Sequence, residues 1–492
     1  MKTTLTFGTF VLVFCLTHLG SSYAQAPVDV GARKQLFLDG LFIESAQNVS
    51  LRVQPPHKTD EIVLRKEHPW EDALINWFGV MQDPGQIDKQ AKYRMWYEAY
   101  DVAGWPTGSD TSFCYAESRD GVHWTKPELG LCEYQGSKKN NVLFRDIGPA
   151  GAHSRVHGTC VFRDPTAPPA SRYKAVSQGV FQSVGKPPHR IAGMFSADGL
   201  RWTRYATPIC NVFADSQYSA FWDVRLKKYV LFGRVFEPTT AVGRTESDEF
   251  SHFQPPQLVL QTNADDPPKS MFYNSAVMQY PFAERVYLMF PSRYDLSRET
   301  LDIRLAVSRD GVHWSRPDQA VAWIPLGERG AWDSGSLYIG HGMLRVGDQL
   351  WQYYSGASMK HNETTLENLT QGKQERFFSR IIIQLDRFVS VAADATGGTF
   401  VTPPLQFTGE ALRINMQVAP GGSVRIGLLD ENSQPVPGLG LTDCQPIEGD
   451  AIAHTVRWKQ GNSVAMRSGK PTRMQVELKD ARLYAFLFTA AQ

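Results

Sequence analysis

One heptapeptide recurs along the chain and limits what it can fold into. Ser118-Arg-Asp-Gly-Val-His-Trp124, Ser196-Ala-Asp-Gly-Leu-Arg-Trp202 and Ser308-Arg-Asp-Gly-Val-His-Trp314 share the pattern Ser-x-Asp-Gly-x-x-Trp, and Ser247-Asp-Glu-Phe-Ser-His-Phe253 is a weaker copy. Asp-Gly supplies a tight turn, the Ser and Asp side chains bond the local backbone, and the Trp packs beneath. A string repeated at long intervals marks repeated units, and each copy reads as a turn lock with a structural role.

A second string marks the same unit. Aromatic, β-branched runs occur at Lys92-Tyr-Arg-Met-Trp-Tyr97, Arg172-Tyr-Lys-Ala-Val176, Lys228-Tyr-Val-Leu-Phe232, Arg285-Val-Tyr-Leu-Met-Phe290 and Gln349-Leu-Trp-Gln-Tyr-Tyr354. With Tyr93, Tyr173, Tyr229, Val286 and Leu350 as anchors, the intervals are 80, 56, 57 and 64 residues. Each run follows another strand-like run and a turn, as at Val161-Phe162-Arg163-Asp164-Pro165. Four short antiparallel strands per unit, repeated about a centre, predict a five-bladed β-propeller over residues 27–403. Its fifth blade ends near Ile381–Phe388, where the lock is missing.

Beyond Thr402-Pro-Pro404 the pattern becomes simple alternation, as in Leu412-Arg-Ile-Asn-Met-Gln-Val418 and Met474-Gln-Val-Glu-Leu478. That predicts a β-sandwich over 404–492 and an all-β chain overall. The composition agrees: 40 Gly and 30 Pro in 492 residues supply turns, and 12% aromatics supply flat side chains. A net charge of +1 gives no electrostatic case for a nucleic-acid partner.

Lys2, an apolar stretch from Phe7 to Leu19 and Ser22-Tyr23-Ala24 read as a signal peptide over 1–24, predicting a secreted or periplasmic protein with no membrane anchor. Five cysteines remain beyond it: Cys114, Cys132, Cys160, Cys210 and Cys444. Their wide spacing argues against a disulfide scaffold, and isolated cysteines in apolar surroundings read as buried small hydrophobes. No spacing for zinc, phosphate or a nucleophile elbow is found, so neither metal nor cofactor is expected.

In a propeller, residues ahead of each innermost strand gather at one mouth of the central channel. Counting back from the anchors singles out Asp215 and Asp333, with Glu71, Asp72 and Asn76, then His153, Arg155 and His157, then Tyr273 and Asn274, at corresponding places. A second ring follows the aromatic strands: Glu98, Asp101, Arg234, Glu237, Arg293, Asp295, Lys360, His361 and Asn362. Converging carboxylates suit cleavage of a glycosidic bond, one acid protonating the leaving oxygen and the other attacking or activating water. The candidate acids are Asp215, Asp333, Glu71 and Glu237. The candidate sugar contacts are Asp72, His153, Arg155, His157, Arg234, Tyr273, Asn274, Arg293 and His361.

Gln35-Leu-Phe-Leu-Asp39, Pro69-Trp70-Glu71, the locks, Leu385-Asp386-Arg387-Phe388 and the appended sandwich resemble the five-bladed glycoside hydrolases of the family 32 and family 43 type. The likeness is greatest to exported family 32-like bacterial proteins. The resemblance implies hydrolysis of a glycosidic bond in a poly- or oligosaccharide by funnel carboxylates, with water and no redox cofactor. Those families draw three acids from the first three blades, and here the second blade offers no clean Asp. Arg163-Asp164-Pro165 matches a family 32 signature in letters but aligns with the hairpins at Asp83 and Asp223, away from the mouth. The Asn-Asp-Pro and Glu-Cys-Pro signatures are absent, so action on sucrose or fructan is not implied. Sialidases place one more residue between Asp and Gly and use six blades. The alternative is a propeller that binds glycan or protein without catalysis.

Overall fold

The computed structural model describes residues 26–105, 110–145, 156–215, 217–372 and 375–490; the expected signal peptide, His153 and Arg155 lie outside them. The five aromatic runs become the second strands of five successive repeats. Blade 1 comprises Leu74–Gln82, Tyr93–Tyr100 and Thr111–Ser118 with outer strands Trp124–Thr125 and Val142–Phe144. Blade 2 starts with Cys160–Arg163, Tyr173–Val180 and His189–Ser196. Blade 3 is Ser219–Asp223, Lys228–Val235, Ala241–Ser247 and Gln257–Leu260, and blade 4 is Val277–Gln279, Tyr287–Met289, Ala306–Ser308 and Trp314–Ser315.

The fifth repeat is not a sheet of its own. Ser336–Ile339, Gln349–Ala357 and Arg376–Gln384 pair in order, and the outer strand is His57–Leu64 from near the start of the chain. A parallel bridge between Leu301 and Ser336 joins this group to strands extending blade 4. The chain leaves the fifth blade near Phe388, as expected, and an N-terminal strand completes that blade on its outer side. Gly79 of blade 1 pairs with His341, just after the inner strand of blade 5, and closes the ring.

The cores lie between blades. Trp96 and Tyr115 of blade 1 pack with Tyr173 and Met194 of blade 2, and Phe232 and Val242 of blade 3 with Val277 and Met289 of blade 4. Each such side chain contributes about 1.5–3 kcal/mol on burial, so stability depends on neighbouring blades meeting. The locks serve the same seams. In blade 2, Asp198 accepts from the backbone N–H of Leu200 and Arg201, while blade 1 donates to the lock's carbonyls: Arg94 to Asp198 and Trp96 to Gly199. Tyr353 of blade 5 donates to Gly121 in the lock of blade 1, and Arg225 of blade 3 to Asp310 in that of blade 4.

The hairpin aspartates form a second inter-blade series. Asp83 accepts from Tyr173, Asp164 from Tyr229 at 2.7 Å and Asp223 from Tyr287 at 2.5 Å. Each tyrosine belongs to the aromatic strand of the next blade. Asp164 is therefore a strut between blades, in a hairpin away from the mouth.

The appended unit is a β-sheet layer system around Phe37, Phe42, Phe400, Phe407, Phe486 and Phe488. Two long strands, Ala411–Leu429 and Arg473–Thr489, pair along their length and change register between Val418 and Ser423. The expected boundaries need correction at both ends. Gln35–Leu36, Ser45–Gln47 and Ser50–Val53 pair into this unit, as do Val389–Ala393 and Gly398–Val401. Residues 28–53 thus belong to the sandwich, and the propeller spans His57 to Phe388. The motif Leu385–Phe388 is the joint: Asp386 accepts from Tyr280 of blade 4 and from Lys34, and Arg387 donates to Asn415. Asp39 performs a similar service by pairing with Arg309.

The five cysteines beyond the signal segment are all free. Four are buried, and desolvation pushes the Cys160 and Cys210 thiols up to about 12. They are packing residues.

Candidate functional site

All five repeats contribute to one line of contacts that runs from blade 2 through blades 1, 5 and 4 to blade 3. Trp77 of blade 1 meets His157, ahead of blade 2, with centroids 5.8 Å apart, and Tyr338 of blade 5 at 4.7 Å. Tyr338 meets Tyr273, ahead of blade 4, at 6.1 Å. The guanidinium of Arg234, from blade 3, lies 3.9 Å over the ring of Tyr273, and pairs at 2.5 Å with Asp215. His361, in the loop after Gln349–Ala357, stands against Tyr273 at 4.6 Å and Tyr294 at 5.0 Å. This is the mouth of the propeller.

Local folding explains several of these placements. Trp77 sits at a register shift between Asn76 and Phe78, with φ +26, a conformation that costs a bulky residue energy. Its indole N–H is buried with no partner among the described residues. Arg234 is held by the neighbouring repeat: Nε and Nη2 donate to the carbonyl of Tyr273, ahead of blade 4, leaving Nη1 for Asp215. Asp215, with 41% of its side chain exposed, is the carboxylate this mouth presents to solvent.

Beneath the mouth the channel is filled. Gln217 donates across it from blade 3 to the carbonyl of Ile339 in blade 5 and accepts from Asn274. Asn274 in turn accepts from the backbone of Ser292. The inner-strand entries of blades 1, 3 and 4 thus carry the amides Asn76, Gln217 and Asn274, and in blades 1 and 3 the family resemblance implied acids.

A buried relay stands behind His157. Its Nδ1 lies 2.9 Å from the hydroxyl of Tyr100, which donates at 2.6 Å to Glu98. Glu98 is fully buried and also accepts from the backbone of Gly158 and Thr159 and from the Thr159 hydroxyl. Burial raises its pKa, and these four donors pull the other way. With Tyr100 donating to Glu98, the tyrosine oxygen accepts from Nδ1–H. That tautomer leaves Nε2 of His157 as the lone-pair nitrogen. On the opposite wall, Tyr338 bonds Nδ1 of His361 at 2.9 Å, and burial beside Arg376 and Arg234 pushes His361 down to about 4. It is neutral at pH 7.

Other expected residues lie elsewhere. Asp333 does not join the mouth: it is buried inside blade 5, ion-paired with Lys58 on the borrowed outer strand and accepting from Tyr354. Its place ahead of the inner strand matches that of Asp215, but its partner Lys58 comes from a strand far away in sequence, which the local pattern does not show. Glu71 is fully buried in blade 1, taken up by Lys126 at 2.8 Å, Tyr97 at 2.6 Å and two backbone N–H groups. Arg293 alternates with Tyr294 along its strand, so as Tyr294 meets His361, Arg293 turns away to Asp302 at 2.9 Å. Asp72 caps the backbone of Val102 on the exposed rim, and Glu237 stands in the exposed loop after Arg234. Sequence reasoning missed Trp77, Tyr294, Tyr338 and Arg376. Trp77 and Tyr338 carry a signal in hindsight, since an aromatic on the innermost strand must face either the channel or a seam.

By strand pairing, then, the chain is a β-propeller of five repeats with an appended β-sandwich. No family model matches its sequence, and no curated protein matches it. Among solved structures it is similar to an N-acetylgalactosamine deacetylase from F. plautii in complex with blood group B trisaccharide, at 12% identity and TM-score 0.45, over 70% of this chain and 97% of that one. It is similar to a GH43_1 enzyme from Xanthomonas citri at 11% identity and TM-score 0.42, over 68% and 94%. The exo-beta-1,3-galactanase from Phanerochaete chrysosporium aligns at 10% identity and TM-score 0.38, over 83% and 95%. Likenesses this distant transfer neither an activity nor a residue's role.

Proposed function

We propose that the protein is a glycoside hydrolase that takes a sugar into the five-blade mouth and cleaves its glycosidic bond there. The observation that carries this reading is the mouth itself: aromatic rings from blades 1, 4 and 5 lead in contact to Arg234, which orients the half-exposed carboxylate of Asp215. Aromatic faces suit the apolar faces of sugars, and charged and imidazole groups suit their hydroxyls. In this reading Asp215 is the reacting carboxylate, stabilising the oxocarbenium-like centre or activating water. His157 acts as the imidazolium, giving its Nε2 proton to the leaving oxygen and ending neutral with its proton at Nδ1, where Tyr100 and Glu98 hold it as positioning residues. Tyr273 and His361 form the sugar platform.

Binding without turnover is the second reading, favoured by the amides Asn76, Gln217 and Asn274 at the inner-strand entries. A glycan-panel digestion separates the two. Wild type should release sugar, and Asp215→Asn and His157→Gln should each lower the rate by 100-fold or more, in line with the ~10²–10⁴ contribution of acid–base groups. Equal activity in all three disposes of the assigned chemistry. Binding with no release in any favours the second reading.

A further inference from the structure

We propose that the sugar taken by the mouth carries a negative charge, a carboxylate or a sulfate, and that this group is received by Arg376 beside Tyr338. The proposal rests on the reading of the mouth as a sugar site and names the substrate class.

Among the described residues, seven arginines are buried. Six of them, Arg94, Arg244, Arg304, Arg380, Arg387 and Arg467, each pair with a carboxylate. Arg376 is the exception. It is 4% exposed and opens the third strand of blade 5 at the mouth end. Its hydrogen bonds go to neutral oxygens alone: the Ser336 hydroxyl at 2.8 Å, the Ser336 carbonyl at 3.4 Å and the Ser355 hydroxyl at 3.3 Å. Its guanidinium stands 4.9 Å from the centre of the Tyr338 ring, which floors the mouth.

A buried cation without a counter-charge is costly, and for the other six buried arginines this fold supplies one. The exception falls where a ligand would sit. Ser355, which Arg376 bonds, reaches Asn76 on the neighbouring inner strand, so Arg376 lies at the seam of blades 5 and 1. The remaining charges divide the mouth. Arg234 and Arg376 border the Tyr273–Tyr338 wall, and Asp215 is held by Arg234. Glu299 is engaged by Asn362, and Glu98 lies under His157 on the far side. An anionic substituent is therefore drawn to the blade 5 wall, where a guanidinium fork matches carboxylate and sulfate geometry.

The test is calorimetric binding to the full chain. The probes are D-glucuronate, D-galactose 6-sulfate, D-glucose, D-galactose and inorganic sulfate, each at low and high salt. At least one anionic sugar should bind tenfold or more tightly than its neutral counterpart, with the gap shrinking at high salt. Arg376→Gln should erase that gap and leave neutral-sugar affinity within about twofold. Asp215→Asn, which removes the carboxylate paired with Arg234, should widen it, and Arg376→Lys, which keeps the charge but loses the fork, should narrow it and carries the test if Arg376→Gln does not fold. Equal binding of neutral and anionic sugars overturns the proposal. So does a preference that survives Arg376→Gln, inorganic sulfate binding as tightly as the sugars, or no sugar binding at all. Cleavage of neutral glycans without an anionic preference defeats this proposal and leaves the hydrolase reading standing. An anionic preference with no glycan cleaved does the reverse.

Discussion

Two aspartates that look alike in sequence do opposite work. Asp215 and Asp333 both precede an inner strand, yet Asp215 faces solvent against Arg234 while Asp333 is buried against Lys58. Lys58→Ala leaves the Asp333 carboxylate buried and unpaired, which costs roughly 3–5 kcal/mol. Denaturant unfolding should register that loss, whereas glycan binding should be unchanged at temperatures where the variant is folded. A loss of binding with stability intact would reassign Asp333 to the site. The locks and hairpin aspartates were legible because they recur with the blade. Trp77, Tyr294, Tyr338 and Arg376 were not, since each enters the mouth once, from a different repeat, with no period to betray it. His361 and Arg234 were found because they follow the aromatic strands, which return to the mouth.

At the scale of elements, the seam between blades 5 and 1 is the tightest joint. A Cβ built on Gly342, at φ +93, would lie 2.0 Å from the carbonyl oxygen of Val80, and one on Gly340 would lie 2.4 Å from Phe78. Neither neighbour is a flexible tip, and the φ of Gly342 disfavours any side chain. Gly342→Ala should therefore cost about 2–4 kcal/mol, combining overpacking with backbone strain. A fall in thermal midpoint checks it; Gly347→Ala, at an open turn with φ +61 and no neighbour within 4 Å, gives the backbone cost alone. Equal losses in the two would mean the seam is looser than described. The fifth blade was only half legible for a related reason. A strand borrowed from residues 57–64 leaves no mark in the local pattern around 376–384, because long-range pairing is encoded by fit, not by proximity.

Over the whole molecule, closure of the ring and attachment of the sandwich use the same N-terminal segment: residues 28–53 pair into the sandwich and His57–Leu64 into blade 5. Closure also buries a titratable group. His341, at the bridge to Gly79, is fully buried, and desolvation pushes it down to about 4. The unfolded chain takes up a proton at His341 below about 6.5, while the folded one resists until about 4. Stability from this group is therefore complete above pH 6.5 and is lost as the pH falls toward 4, by roughly 3 kcal/mol in all. Urea midpoints measured from pH 7 to pH 4 should fall more steeply in wild type than in His341→Asn; parallel slopes would place the histidine outside the seam.

The central claim is that one mouth, assembled from all five repeats, is where this protein meets sugar. A crystal structure with the tightest-binding glycan of the panel tests it most directly. The account predicts the sugar ring against Tyr273 and His361, within hydrogen-bond reach of Asp215, and its charged substituent toward Arg376. Glycan bound instead on the sandwich or at a lock, with the mouth empty, would contradict it.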